Sequence, residues 1–186
     1  KTITKNIFKN QPLSNSYFET EKLNYTFDNL HNWGLPVRFR DLNQIDELFS
    51  PPFLEYHMFS TDLNINPKDY ASILKNKTLS IHAPEQFNDS FVLDLVSEDS
   101  FTLKKSEDLF KTIINWVESV KKITNQEKIN LITNVGGATL DKNKLSIFDK
   151  KLAFEKLSLL NELCNSKGIN FLPQTMPPFP WHFGGQ

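Results

Sequence analysis

Several short apolar segments of this chain end in side chains that can hydrogen-bond, hold a proton or bind a metal. Strand alternation puts those side chains on one surface. In Phe53–Met58, Phe53, Glu55 and His57 share a face; in Thr78–His82, Ser80 and His82 do. At the end of Ile129–Thr133, Ile132 and Asn134 share one, and at the end of Ile169–Leu172, Leu172 and Gln174 do. The last sixteen residues, Phe171 to Gln186, then run through Pro177-Pro178-Phe179-Pro180 into Trp181, His182 and Gly184-Gly185. Four strand ends and a stiff aromatic loop therefore carry groups suited to binding and proton transfer.

Each of these residues also has a plainer reading. A strand-end histidine such as His57 can be a hydrogen-bonded packing residue. Glu55 is expected to pair with Arg38 or Arg40, and Glu85, after Ala83-Pro84, can cap the following segment. Asn134 with Gly136-Gly137 makes either a tight turn or a backbone cradle for a phosphate. Phe179 and Trp181 either stack on a ligand ring or pack down to stiffen their loop. Lys121-Lys122 reads as a solvated helix face.

The elements that must position these groups alternate strand with helix. After the strand Phe53–Met58 comes a short helix from Pro67 to Leu74, then the strand Thr78–His82. A long helix follows, with Leu109, Ile113, Trp116, Val117 and Val120 at helical spacing. After the strand Ile129–Thr133, a helix from about Lys151 to Ser166 stacks Leu152, Leu160, Leu163 and Cys164. It ends at the glycine stop signal Lys167-Gly168 before the strand Ile169–Leu172. This alternation predicts parallel β/α units. Upstream, residues 1–20 alternate weakly. Residues 21–52 read as a linker with Gly34-Leu35-Pro36 and Pro51-Pro52 as breakers and a short helix at Leu42–Phe49.

A doubly wound sheet needs a glycine-rich turn after its first strand, and Met58-Phe59-Ser60-Thr61 is not one. Polar residues at several strand ends suit a (β/α)₈ barrel, which takes about 250 residues. The expected fold is thus α/β of TIM-barrel type with about the first four β/α units present. Residues 53–186 would form its N-terminal half. That half would require the second half or self-association.

Composition narrows the function. The chain of 186 residues is 39% hydrophobic and 12% aromatic, which fits a folded protein with a real core. A net charge of −1 and a pI near 6.5 give no electrostatic case for nucleic acid or an anionic membrane. No apolar run approaches the ~20 residues of a membrane span, and no signal sequence is visible. The single cysteine, Cys164, excludes an internal disulfide framework and suits a reducing cytoplasm. Lys1 in place of an initiator Met fits a piece of a longer protein.

Ser80-Ile-His-Ala-Pro-Glu85, Asn134-Val-Gly-Gly137 and Pro177-Pro-Phe-Pro-Trp-His-Phe-Gly-Gly-Gln186 together resemble the xylose-isomerase-like barrels, a superfamily of sugar-phosphate isomerases, epimerases and apurinic endonucleases. The likeness points to a barrel module of bacterial surface-sugar pathways, attached to sialic-acid-synthase-like proteins. Lys1 to Ser14 is similar to the tail of the antifreeze-like (SAF) domain of such synthases, giving 1–20 as that tail. Gly34 to Arg38 and Leu54 to His57 resemble the linker and first barrel strand.

The resemblance implies a sugar or sugar phosphate as substrate and a divalent metal (Mn, Zn, Co or Mg). It implies His57 and His82 as metal ligands, Glu85 and His182 as catalytic residues, and Asn134, Gln174, Trp181 and Glu55 as substrate-binding residues. Isomerisation or epimerisation would need a carboxylate base and a cation or donor to stabilise the enediolate. Gln174 departs from the family, which generally has a glutamate ligand at the end of the fourth strand. This departure supports an alternative, a non-catalytic sugar-binding or scaffolding barrel that has lost its metal. An apurinic endonuclease would show a basic face, which the near-neutral charge opposes.

Overall fold

The structure is a computed structural model that describes residues 33–136 and 150–174. The expected SAF-like tail, Gly137, Trp181 and His182 lie outside the described residues.

Among the described residues five strands form one all-parallel sheet: β1 (Gly34–Val37), β2 (Phe53–His57), β3 (Thr78–His82), β4 (Ile129–Asn134) and β5 (Ile169–Gln174). They pair in the order in which they occur in the chain, β1-β2-β3-β4-β5. Between them lie α1 (Leu42–Phe49), the one-turn α2 (Ala71–Leu74), the long α3 (Ser100–Thr124) and α4 (Lys150–Ser166). Short 3₁₀ turns at Ser60–Asn64 and Pro67–Tyr70 complete the β2–β3 crossover. Right-handed crossovers taken always in one direction lay their helices on one side of the sheet. The order never reverses among the described residues, so the switch point of a doubly wound fold is absent from them.

One strand expected to be linker is present. Gly34-Leu35-Pro36 does not break the chain but forms β1, in register with Phe53, Leu54 and Glu55 of β2. Proline is tolerated here because β1 is an outer strand that needs no N–H on its free side. Pro173 sits in β5, the other outer strand. Gly34 is required by proximity, since a Cβ there would meet the Phe53 ring and, at 2.8 Å, its carbonyl oxygen. The remaining strands and helices fall within two residues of their expected limits, except that Pro67–Leu74 divides into a 3₁₀ turn and a single α turn.

The hydrophobic core lies under the helix side. Leu54, Tyr56, Leu79, Ile81, Leu131 and Ile169 from the strands pack with Phe110, Ile113, Ile114 and Val117 of α3. Each such side chain contributes about 1.5–3 kcal/mol by leaving water. Phe39 wedges between Tyr56 and Trp116, with ring centroids 4.2 and 5.4 Å away, and Trp116 donates its indole N–H to the Ile65 carbonyl at 3.0 Å. Beneath them Tyr56 donates to Asp62 at 2.9 Å; burial first, and the Asp62 carboxylate second, hold the phenol far above its usual range. Cys164 is fully buried, and burial pushes its thiol up to about 12, so it is a packing residue and not a nucleophile.

Ends and seams are closed by specific bonds. Asp99 caps α3 by accepting from the Thr102 N–H at 2.7 Å. At the base of β3 the Gln126 amide acts as a stretch of backbone, accepting from Leu79 N–H at 2.8 Å and donating to Leu79 O at 3.2 Å. Gly168 takes φ 69° just after α4, the left-handed stop expected there. Lys121 corrects the expectation of a wholly solvated lysine pair: its ammonium donates to the Lys167 carbonyl at 3.0 Å, whereas Lys122 is exposed and pairs with Glu118 at 2.9 Å. Leu152, expected in the apolar stripe of α4, is 43% exposed.

Candidate functional site

Alternation leaves the face opposite the helices polar, as the sequence indicates. Strand register arranges its side chains in rows that cross the sheet. One row reads Glu55, Ser80, Asn130 and Asn170, and the next His57, His82, Ile132 and Leu172. A third, at the C-terminal edge, pairs Asn134 with Gln174. Each row crosses adjacent parallel strands about 4.8 Å apart, so neighbours within a row can touch.

The first row is a hydrogen-bonded ladder. Asn170 donates to Asn130 Oδ1 at 3.1 Å, and Asn130 donates to Ser80 Oγ at 3.2 Å. Neither asparagine was singled out from the sequence, although carrying the alternation two residues back from Ile132 and Leu172 reaches both. The ladder fixes side-chain rotamers beneath the histidines, which is what a binding surface needs to be rigid.

Glu55 and His57, two residues apart on one strand face, make the shortest of these contacts: Glu55 Oε1 lies 2.6 Å from His57 Nε2. The expected pairing of Glu55 with Arg38 or Arg40 is corrected. Arg38 donates to the His57 carbonyl at 2.6 Å, and Arg40 lies 3.6 Å from Asp41. With Glu55 accepting from Nε2–H, the basic lone pair of a neutral His57 is on Nδ1. The ring and the carboxylate are each about one-third exposed, 34% and 38%, so a ligand can reach them.

His82 stacks on His57, ring centroids 5.0 Å apart, and reaches across the sheet to Gln174 Oε1 at 2.8 Å. Its Nδ1 lies 3.1 Å from the Ala83 carbonyl, which can only accept. A neutral ring therefore carries its proton on Nδ1, and the Gln174 amide then turns its NH₂ toward Nε2. Asn134, 6% exposed, has both amide atoms buried without a hydrogen-bond partner among the described residues, as is Thr133 Oγ1. Such groups are costly unless something pairs with them.

Glu85 follows β3 in a loop that doubles back, its carbonyl accepting from Leu93 N–H at 3.0 Å. Its carboxylate makes no hydrogen bond or ion pair with a described residue, so the structure does not join it to His57, His82 or Gln174. Each Nε2 of the stacked histidines is engaged by its own partner, and no group of three or more His, Cys, Asp or Glu side chains converges among the described residues. What the arrangement can do is hold hydroxyls and move a proton at His57.

No described helix is long and apolar enough to cross a membrane. Comparison with protein-family models, with curated proteins and with solved structures gave no match to this chain.

Proposed function

We propose that this chain is the N-terminal arc of a TIM-barrel-type module that binds a sugar or sugar phosphate on its polar sheet face and shifts a proton on it, as an isomerase or epimerase does. The observation that carries the reading is the Glu55–His57 pair, 2.6 Å apart, set beside His82 and Gln174 on one rigid polar surface. An open sheet with all its helices on one side needs a use for the other face. A barrel supplies one, because that face becomes the interior and its strand C-termini the site.

In this reading His57 Nδ1 removes the proton next to the substrate carbonyl, and Glu55 orients the ring and stabilises the imidazolium that forms. Gln174 and Asn134 hold hydroxyl groups and donate to the developing enediolate oxygen, and His82 fixes the Gln174 amide through its Nε2. The placement in bacterial surface-sugar (nonulosonic acid) biosynthesis, beside a sialic-acid-synthase-like partner, rests on the motif resemblance alone.

Proton transfer next to a carbonyl exchanges that hydrogen with solvent. The test is ¹H NMR of candidate ketose and aldose phosphates incubated with the protein in D₂O, with and without a chelator. Deuterium uptake that disappears in Glu55→Gln supports the reading, and binding of a sugar without uptake overturns the catalytic part. A second reading, a sugar-binding module without chemistry, is favoured by Gln174, a neutral amide that already occupies the His82 ring. Uptake abolished by the chelator would show that a metal takes part.

A further inference from the structure

We infer that the C-terminal ends of β1 and β2 form a subsite for an oxyanion, a phosphate or carboxylate group of the ligand, held by Arg38. This rests on the proposed site and deepens it, since it makes the ligand an anionic sugar and not a neutral one.

Arg38 follows β1 in extended conformation, φ −116° and ψ 154°, so alternation continues through it. Pro36 is in register with Glu55 and Val37 with Tyr56, which puts Arg38 on the polar face, one position beyond these pairs and alongside His57. A cleft of about 210 Å³ opens there, lined by Pro36, Val37, Arg38, Asp41, Ile45 and His57.

Arg38 is half-buried and held on two sides. One N–H donates to the His57 carbonyl at 2.6 Å, and the guanidinium lies 4.1 Å over the Phe59 ring. No carboxylate of a described residue forms an ion pair with it. Asp41, the one acid in the cleft lining, is engaged by Arg40, and Glu55 by His57. A partly desolvated cation without a counter-ion is unfavourable by itself and becomes favourable when an anion enters. Bonding one carbonyl uses a single donor of a five-donor planar fork, and a fork fixed by a ring and a backbone contact suits two oxygens of a phosphate or carboxylate. An anion seated there would sit next to His57, so the rest of the sugar would extend across His82 toward Gln174.

The experiment is titration by NMR of the whole chain with inorganic phosphate, with a sugar phosphate, with a sugar acid and with the neutral parent sugar. It uses the wild type, Arg38→Gln, Arg38→Lys and Asp41→Asn. Saturable phosphate binding is expected in the wild type, weakened about tenfold or more in Arg38→Gln. Arg38→Lys keeps the charge without the fork and should fall between, and Asp41→Asn, which removes a negative charge from the cleft, should bind phosphate more tightly. The sugar phosphate or sugar acid, whichever loses affinity with Arg38, identifies the oxyanion, and the neutral sugar should be indifferent to it.

Phosphate binding unchanged in a folded Arg38→Gln, or neutral sugar bound as tightly as its phosphate, overturns the subsite. If Arg38→Gln does not fold, the opposite signs expected of Arg38→Lys and Asp41→Asn decide, and no change in either overturns it. Glu55→Gln separates this from the catalytic reading: it should abolish solvent exchange and leave phosphate binding intact. Arg38-dependent binding without any exchange would sink the catalysis alone.

Discussion

His57 and His82 lie face to face, their ring planes 8° from parallel, because they are register partners on adjacent parallel strands. The sheet itself builds this stack, since neighbouring strands set same-face partners about one ring-stacking distance apart. Each ring then reaches a different polar partner, Glu55 or Gln174. Because the His82–Gln174 bond is exposed, His82→Ala should cost less than about 1 kcal/mol of stability while weakening sugar binding or turnover. Thermal melts paired with ligand titration check this; a large stability loss with unchanged ligand behaviour would make His82 a packing residue.

Asn134 should show the opposite balance. Its amide is buried without a partner among the described residues, so Asn134→Leu is expected to raise the stability of the ligand-free protein by about 1–2 kcal/mol. The same change should reduce sugar affinity, because the amide is then no longer there to pair. Urea denaturation midpoints and a binding titration measure the two effects. Destabilisation with unaltered binding would contradict the role assigned to it.

Glu118 links α3 to the turn after α4 through Lys167, at 2.6 Å, and to Lys122. The hydrogen bond from Lys167, then that from Lys122, lowers its carboxyl from 4.5 to about 2. A carboxyl whose folded value is depressed stabilises the fold fully above its unfolded value and loses that contribution as it is protonated in the folded state. Glu118→Gln should therefore cost about 1 kcal/mol near pH 7. The gap to wild type should close as pH falls from about 4.5 to about 2. Denaturant titrations across that range would show it, and a gap that persists at the acid end would contradict it.

At Gly168 the backbone is left-handed, φ 69°, and an added Cβ would meet the Lys121 ammonium. Gly168→Ala combines the strained conformation with displacement of the Lys121 bond to the Lys167 carbonyl. It should destabilise by about 1 kcal/mol or more, measured as a lower denaturant midpoint at constant slope. An Asn at this position, better suited to positive φ, should restore part of the loss.

Most of the sheet could be read from the residues because its physics is local. Period-two alternation placed Glu55 with His57 and Asn134 with Ile132, and the register confirms these faces. β1 was missed because proline and glycine signal a break, and only the pairing partner shows that both are acceptable on an outer strand. The Glu55–His57 contact was hidden behind an expected Glu–Arg pair of equal electrostatic logic. The His82–Gln174 bond joins residues 92 positions apart. It depends on how β3 and β5 are staggered through β4, which alternation within one strand does not encode.

The strand order also bears on how the chain reaches this structure. Among the described residues each strand from β2 to β5 pairs with the one synthesised just before it, so each new β/α unit closes its crossover onto an edge that already exists. Closing a crossover between consecutive strands costs less chain entropy than closing one between strands farther apart in the chain, although parallel pairing still forms more slowly than local helical contacts. A sheet of this kind can be assembled one β/α unit at a time as the polypeptide leaves the ribosome. No described strand has to wait for a later one to be inserted between it and its neighbour.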